Sequence, residues 1–328
     1  GLIHLASPKI EDYERFFKHE ETVKQKNLHN LYDIDYEPRY SWYRKTFFVP
    51  AGLNGKNAVI TLKKSQYVTQ VYINDRDMGT SMACYTPIEF PVNQTLKYGQ
   101  ENEILVRVGD RIWLPSQAAG GTDKEKEHYL PGIWDDVYLS FTGKLRINRV
   151  LLLPYVKEKK VTVKLQVRSF FPPQLVSTDD PMEDTSTVNV TITDIVTGEK
   201  IGSTNVITIA HRDNLTEFSI DVDMNGFSLW TPEEPNLCEA EIELLYRGVT
   251  SDKLSKKFGM RDFATLDKFF YLNEEKTILR GANISLQRFF EDPDCSNLVW
   301  DRNWVKKLLI DIPKGLNWNT MRTSVGIL

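Results

Sequence analysis

The feature that most constrains this chain is a period of two. Val161, Val163, Leu165 and Val167 alternate with Thr162, Lys164, Gln166 and Arg168. Phe218, Ile220, Val222 and Met224 alternate with Glu217, Ser219, Asp221 and Asp223, and Cys238, Ala240, Ile242 and Leu244 with Glu239, Glu241 and Glu243. Successive side chains of a strand point to opposite faces, so each segment has one apolar and one charged face. Antiparallel sheets with one wet side fit that pattern. The period is less clean earlier, where Ala58, Ile60 and Leu62 alternate with Val59, Thr61 and Lys63, and Ile104, Val106 and Val108 with Leu105 and Arg107. Asn74-Asp75 and Tyr98-Gly99 interrupt those runs as turn residues do. Short strands with regular turn signals predict two sandwiches. The first, over 1–144, is read as jelly-roll-like, and the second, over 145–260, as immunoglobulin-like, with roughly seven strands. Pro172–Ser186 reads as a long surface loop.

Two stretches depart from this period. Tyr13, Phe16 and Phe17 at i, i+3 and i+4 predict a short helix over Ile10–Lys26. After Phe263, Thr277–Leu279 reads as a strand. Asp301 can cap a helix whose face carries Trp304, Val305, Leu308 and Leu309; Gly315 ends that region, and Leu316–Met321 reads as the next strand. Strand, helix and strand make a βα unit. A complete (β/α)8 barrel takes about 250 residues, so residues 261–328 can hold only its opening.

Composition removes several classes of function. The 328 residues carry 41 Lys+Arg against 45 Asp+Glu, a formal charge of −4. This mild acidity argues against a dedicated nucleic-acid binder, which would need a basic surface to displace counterions. No apolar run reaches the roughly 18–20 residues of a membrane span. Cys84, Cys238 and Cys295 lie far apart with no CxxC, which rules out a zinc ribbon and favours reduced thiols, although one disulfide stays open. HExxH, GxGxxG after a strand, a Walker loop and GxSxG are all missing, and Gly120-Gly121 lacks the spacing of a phosphate cradle. The five histidines include no pair at metal-ligand spacing; His4, His19, His29 and His211 read as surface residues. No cofactor and no metal are expected. Gly1 in place of Met suggests a removed leader, and with it a periplasmic or secreted location.

The residues also resemble a known family. Trp42-Tyr43-Arg44-Lys45-Thr46-Phe47, Val71-Tyr72-Ile73-Asn74 with Met78-Gly79, Tyr85-Thr86-Pro87-Ile88-Glu89-Phe90, Gly99 to Val108 and Gly132 to Leu139 resemble, in order, the first-domain motifs of glycoside hydrolase family 2. That family includes β-galactosidases, β-glucuronidases and β-mannosidases. Leu229 to Leu237 and Phe258-Gly259-Met260-Arg261 resemble the close of its second domain. Phe270 to Asn273 with Leu279 to Asn283, and Asn317 to Arg322, resemble its first two barrel strands.

The resemblance implies a sugar-binding-like first domain, an immunoglobulin-like second domain and the start of a barrel. It implies retaining hydrolysis of a glycosidic bond by two carboxyls roughly 5 Å apart, one an acid/base and one a nucleophile. Both family glutamates sit on later barrel strands, so no catalytic residue is assigned here, and the chain alone is expected to be inactive. For substrate contact the resemblance points first to Arg322, near the nucleophile on the active-site floor. It points next to Asn283, Arg288, Glu291 and Asp292 after the first strand, and to Glu127 and His128 in a first-domain loop. The sequence departs from galactosidases and glucuronidases at Val325, where many have His, and lacks the galactosidase His-rich turn after the first strand. The sugar therefore stays open. The partner expected is a carbohydrate substrate, with a homo-oligomer left open. The alternative is a non-catalytic carbohydrate-binding or adhesive sandwich protein, and a third reading is a pseudo-enzyme without the carboxylates.

Overall fold

The computed structural model describes residues 2–5, 40–84, 86–109, 114, 132–170, 186–208, 214–284, 294, 298 and 301–323. The protein is mainly β. It divides into two compact units, residues 1–141 with 280–328, and residues 142–279. Among the described residues no helix is long and apolar enough to cross a membrane.

The first sandwich is built from β1 (Leu2–Leu5), β2 (Tyr40–Val49), β3 (Asn57–Leu62), β4 (Ser65–Gln66), β5 (Val68–Ile73), β6 (Arg76–Ser81), β7 (Ile88–Pro91), β8 (Gln100–Gly109), β9 (Gly132–Ile133) and β10 (Val137–Thr142). A five-stranded sheet runs β1-β2-β8-β5-β6 and a three-stranded one β10-β3-β7, with β4 and β9 paired separately. Between the sheets lie Val49, Ala58, Ile60, Leu62, Val71, Ile73, Ile88, Phe90, Val106 and Val108. The alternation expected in Ala58–Leu62 accounts for three of the five residues buried there, because Val59 and Thr61 are buried too. β3 is the middle strand of its sheet, and both of its faces are covered.

Hairpin chemistry fixes the register of this sandwich. Asn74 and Asp75 both hold positive φ (48° and 64°), as a two-residue turn between β5 and β6 requires. The Asn74 amide donates to the Asn102 Oδ1 at 2.8 Å and to the Thr95 carbonyl at 2.8 Å, and its own Oδ1 accepts from the Glu103 N–H at 3.0 Å. Asn102 in turn donates to the Lys97 carbonyl and accepts from the Lys97 N–H. The two asparagines therefore tie the β5–β6 turn to β8 and to the connection that precedes it.

The second sandwich comprises β11 (Leu145–Tyr155), β12 (Lys160–Ser169), β13 (Ser186–Asp194), β14 (Lys200–Thr208), β15 (Leu215–Asp223), β16 (Cys238–Tyr246) and β17 (Val249–Phe258). Sheets β11-β12-β15 and β14-β13-β16-β17 face each other, and the strand pairs within each are antiparallel. This is an immunoglobulin-like sandwich whose fourth strand pairs with the third. The apolar alternating positions fill its core, from Val161, Val163, Leu165 and Val167 to Ala240, Ile242 and Leu244. Burying each of the Val, Leu and Ile side chains among them contributes about 1.5–3 kcal/mol. Both sides of the sandwich are also closed. At one, the Ser251 hydroxyl accepts from the Leu145 N–H (2.8 Å) and donates to the Leu145 carbonyl (2.7 Å), the Asp252 carboxylate accepts from the Ile147 N–H (2.8 Å), and Lys256 Nζ donates to the Val150 carbonyl (3.0 Å). At the other, Gly202 bridges Met224, and the Asn225 N–H donates to the Ile201 carbonyl at 2.7 Å. Pairing of this kind blunts sheet edges that would otherwise template association.

Residues 263–277 form a meander of β18 (Phe263–Leu266), β19 (Phe269–Leu272) and β20 (Glu275–Thr277). A brace ties it to the second sandwich. The Trp230 N–H donates to the Met260 carbonyl at 2.9 Å, the Asn273 amide donates to the Trp230 carbonyl at 3.0 Å, and the Arg261 guanidinium lies 4.4 Å from the Trp230 ring centre. Lys157 pairs with Glu274 at 2.6 Å.

The last elements are β21 (Gly281–Ile284), α1 (Arg302–Lys306), a π-helical turn (Lys307–Asp311), α2 (Ile312–Gly315) and β22 (Thr320–Thr323). β21 and β22 pair in parallel. Asp301 caps α1, accepting from the Asn303 N–H at 2.8 Å, and Trp304, Val305, Leu308 and Leu309 are the expected half-buried face. Two boundaries differ from expectation. Thr277–Leu279 is not one strand: Asn273 and Glu274, both at positive φ, fold β20 back on β19, and the next strand begins only at Gly281. Leu316–Met321 starts late as a strand, because the helix runs to Gly315 and Asn317 turns the chain at φ 54°. The helix read at Ile10–Lys26, and the loop over residues 172–185, lie outside the described residues, while Ser186 opens β13.

Candidate functional site

The candidate site grows from the parallel pair. Successive strands of a parallel sheet lie about 4.8 Å apart, and their carboxyl ends are where barrels and open α/β sheets place chemistry. The register sets Gly281 opposite Thr320, Ala282 opposite Met321, Asn283 opposite Arg322 and Ile284 opposite Thr323. Asn283 and Arg322, distant in sequence, are thus neighbours one residue before the carboxyl ends of their strands. Both are exposed. Neither side chain makes a hydrogen bond or ion pair within the described part of the protein. A guanidinium is charged at any physiological pH and offers a planar fork of five donors; a carboxamide offers two donors and an acceptor. Together they suit hydroxyls or a carboxylate rather than a metal ion, and no group of three metal-ligating side chains occurs among the described residues.

Of the other residues singled out in the sequence, Arg288, Glu291, Asp292, Glu127 and His128 lie outside the described residues. The structure thus joins two of the seven, Asn283 and Arg322.

Sequence reasoning missed the residues that hold this pair in place. An added Cβ at Gly281 would stand 1.6 Å from the Thr320 carbonyl oxygen, so only glycine permits the strands to meet there. Arg280 and Asn319, just before the strands, bond through main chain and side chain together. The signal available was the Asn-Trp-Asn run ahead of β22, together with the Arg280-Gly281 pair where β21 begins.

Motif residues in the two sandwiches hold structure. The Tyr43 hydroxyl accepts from the Ile133 N–H at 3.0 Å, and burial pushes that phenol above its ordinary value. A Cβ at Gly132 would lie 3.1 Å from the same hydroxyl. Cys84 and Cys238 are reduced thiols. Cys238 is pushed up to about 11, first by burial and then by the nearby Asp194 charge, which leaves it an inert core residue at neutral pH.

Comparison with known proteins follows the same divisions of the chain. Residues 145–261 match the family described as glycosyl hydrolases family 2, and residues 17–111 match the β-galactosidase second all-β domain. A β-galactosidase of Thermoanaerobacter pseudethanolicus is 26% identical over 246 residues, 74% of this chain and 31% of that protein. A β-glucuronidase of Formosa agariphila is 25% identical over 259 residues, 73% of this chain and 25% of that one. Among solved structures, a glycosyl hydrolase family 2 member from Bacteroides cellulosilyticus superposes with a TM-score of 0.67 at 19% identity, covering 88% of this chain and 38% of the other. A Bacteroides uniformis β-glucuronidase gives 0.65 at 21%, covering 88% and 34%. These structural likenesses are of fold. The chain spans about a quarter to a third of the length of the curated relatives it matches.

Proposed function

We propose, from the premise that this chain is a relative of the family 2 glycosyl hydrolases, that the protein is a retaining exo-β-glycosidase acting on O-glycosidic bonds. In this reading residues 261–328 open the catalytic barrel. The observation that carries the proposal is the parallel pair joined through helix, which sets Asn283 beside Arg322 at the strands' carboxyl ends. A module that only bound or adhered to glycans would have no use for a parallel β-helix-β unit with functional groups at that end.

Arg322 has the chemistry to orient and keep ionised a nucleophilic carboxylate, or to bind a sugar hydroxyl. Asn283 beside it suits a hydroxyl. The two catalytic carboxyls are assigned to later barrel strands, so the 328-residue chain alone is expected not to cleave aryl β-glycosides. The test is Arg322→Ala in a protein of the relatives' length that contains this chain. Loss of a charge-assisted bond costs about 1.5–3 kcal/mol, so kcat/KM should fall roughly 10–150-fold. A value within about twofold of the parent, with the fold intact, removes Arg322 from the site.

A further inference from the structure

We infer that Arg280 and Asn319 form a register clamp that positions Asn283 beside Arg322, and that Asn319 acts through its side-chain acceptor. The clamp rests on the reading of that pair as a sugar-contacting site, yet its geometry stands independently.

A parallel strand pair four residues long has little to fix its register. A slip of one residue turns each strand's side chains to the opposite face relative to its partner. Asn283 would then no longer stand opposite Arg322. Just before the strands begin, Asn319 engages both backbone polar groups of Arg280. Its Oδ1 accepts from the Arg280 N–H at 2.9 Å, and its own N–H donates to the Arg280 carbonyl at 3.0 Å. The Thr320 N–H donates to that carbonyl as well, at 3.2 Å. Arg280 Nε donates to the Asn317 carbonyl at 3.0 Å, a group presented by the left-handed turn at φ 54°. The Thr320 hydroxyl adds a longer bond to Asn319 Oδ1 at 3.3 Å. Directly after the clamp, Gly281 lets β21 approach the Thr320 carbonyl at a distance no other residue allows.

Only one register satisfies all of these bonds. Shifting β22 by one residue would put Trp318 or Thr320 where Asn319 stands. Trp318 offers only an indole donor, and the Thr320 hydroxyl sits on a shorter side chain than the Asn319 acceptor. The clamp therefore selects the pairing, and the pairing brings the two candidate sugar ligands together. Arg280 and Asn319 are positioning residues: they act on a substrate only through Asn283 and Arg322.

Ala282 and Met321 are register partners, which gives a direct readout in the 328-residue chain. With methyl-labelled Ala and Met, the parent should show a nuclear Overhauser contact between the Ala282 and Met321 methyls. Asn319→Leu, similar in size but without an acceptor, should lose it, while the Ala240 and Met260 methyl signals of the second sandwich stay in place. Asn319→Asp keeps an acceptor oxygen for the Arg280 N–H and should restore the contact. A contact that survives in Asn319→Leu overturns the clamp, as does one that is absent in Asn319→Asp. In a protein of the relatives' length, Asn319→Leu should lower kcat/KM by about tenfold or more, with Asn319→Asp close to the parent. If the register responds as expected while Arg322→Ala leaves catalysis unchanged, the sugar-site reading fails and the clamp stands.

Discussion

Gly259 and Gly281 are glycines for want of space rather than for φ. At Gly259 an added Cβ would lie 2.7 Å from Cβ and Cγ of Trp230, the ring that braces the meander; at Gly281 it would strike the Thr320 carbonyl. At Gly52, by contrast, an added Cβ would meet nothing within 4 Å. Gly259→Ala should therefore destabilise the unit of residues 142–279 by about 1–3 kcal/mol, the usual cost of overpacking, while Gly52→Ala leaves stability within about 0.5 kcal/mol. Thermal unfolding of the two variants beside the parent checks this, and equal midpoints would mean that Trp230 moves aside freely. Both glycines belong to short motifs recognisable in the sequence, but which atom each must avoid was not. Steric exclusion between residues 29 or 39 positions apart, as for Trp230 with Gly259 and Gly281 with Thr320, leaves no local pattern.

At the scale of elements, the closure of β11 on β17 turns on Ser251 and Asp252. Burial raises the Asp252 carboxyl above its ordinary 3.8, although the N–H groups of Ile147 and Lys253 and the Arg146 charge pull it down. A raised carboxyl contributes its full stability below the unfolded value and loses it as pH rises through the folded value. Asp194, Asp221 and Glu243 run the other way. Backbone N–H groups lower Asp194, Lys160 lowers Asp221 and Thr250 lowers Glu243, so their contributions are present above 3.8, 3.8 and 4.5 and fade as pH falls. Asp252→Asn removes only the first dependence. Its deficit against the parent should be largest below pH 3.8 and shrink as pH rises through the folded value toward neutrality, measured by denaturant unfolding across that range. A deficit that grows with pH would show that the carboxylate form is the one the fold prefers. The alternating strands of this sandwich could be read in advance because each apolar face meets one core. In β3 the same reading recovered three of the five buried residues, since a middle strand covered on both sides needs no alternation.

For the whole molecule, the division at residues 141/142 and 279/280 leaves the second unit with its own core and with both sides closed by its own hydrogen bonds. A chain of residues 142–279 alone should fold, unfold cooperatively and keep the Trp230 brace; a spectrum without dispersed core methyl signals would refute that independence. The order of the sandwiches, the cap at Asp301, the half-buried helix face and the family resemblance all followed from the sequence alone. Each depends on residues a few positions apart, where backbone period, turn conformation and capping act. The sequence also held Asn283 and Arg322 as separate candidates. Their meeting required a parallel pairing across 39 positions, fixed by the absent Cβ of Gly281 and by the bonds between Arg280 and Asn319. The closing of the second sandwich through Ser251 and Gly202 was likewise decided only in three dimensions, because a backbone group's partner is set by which strands fold against each other and not by its neighbours in the chain.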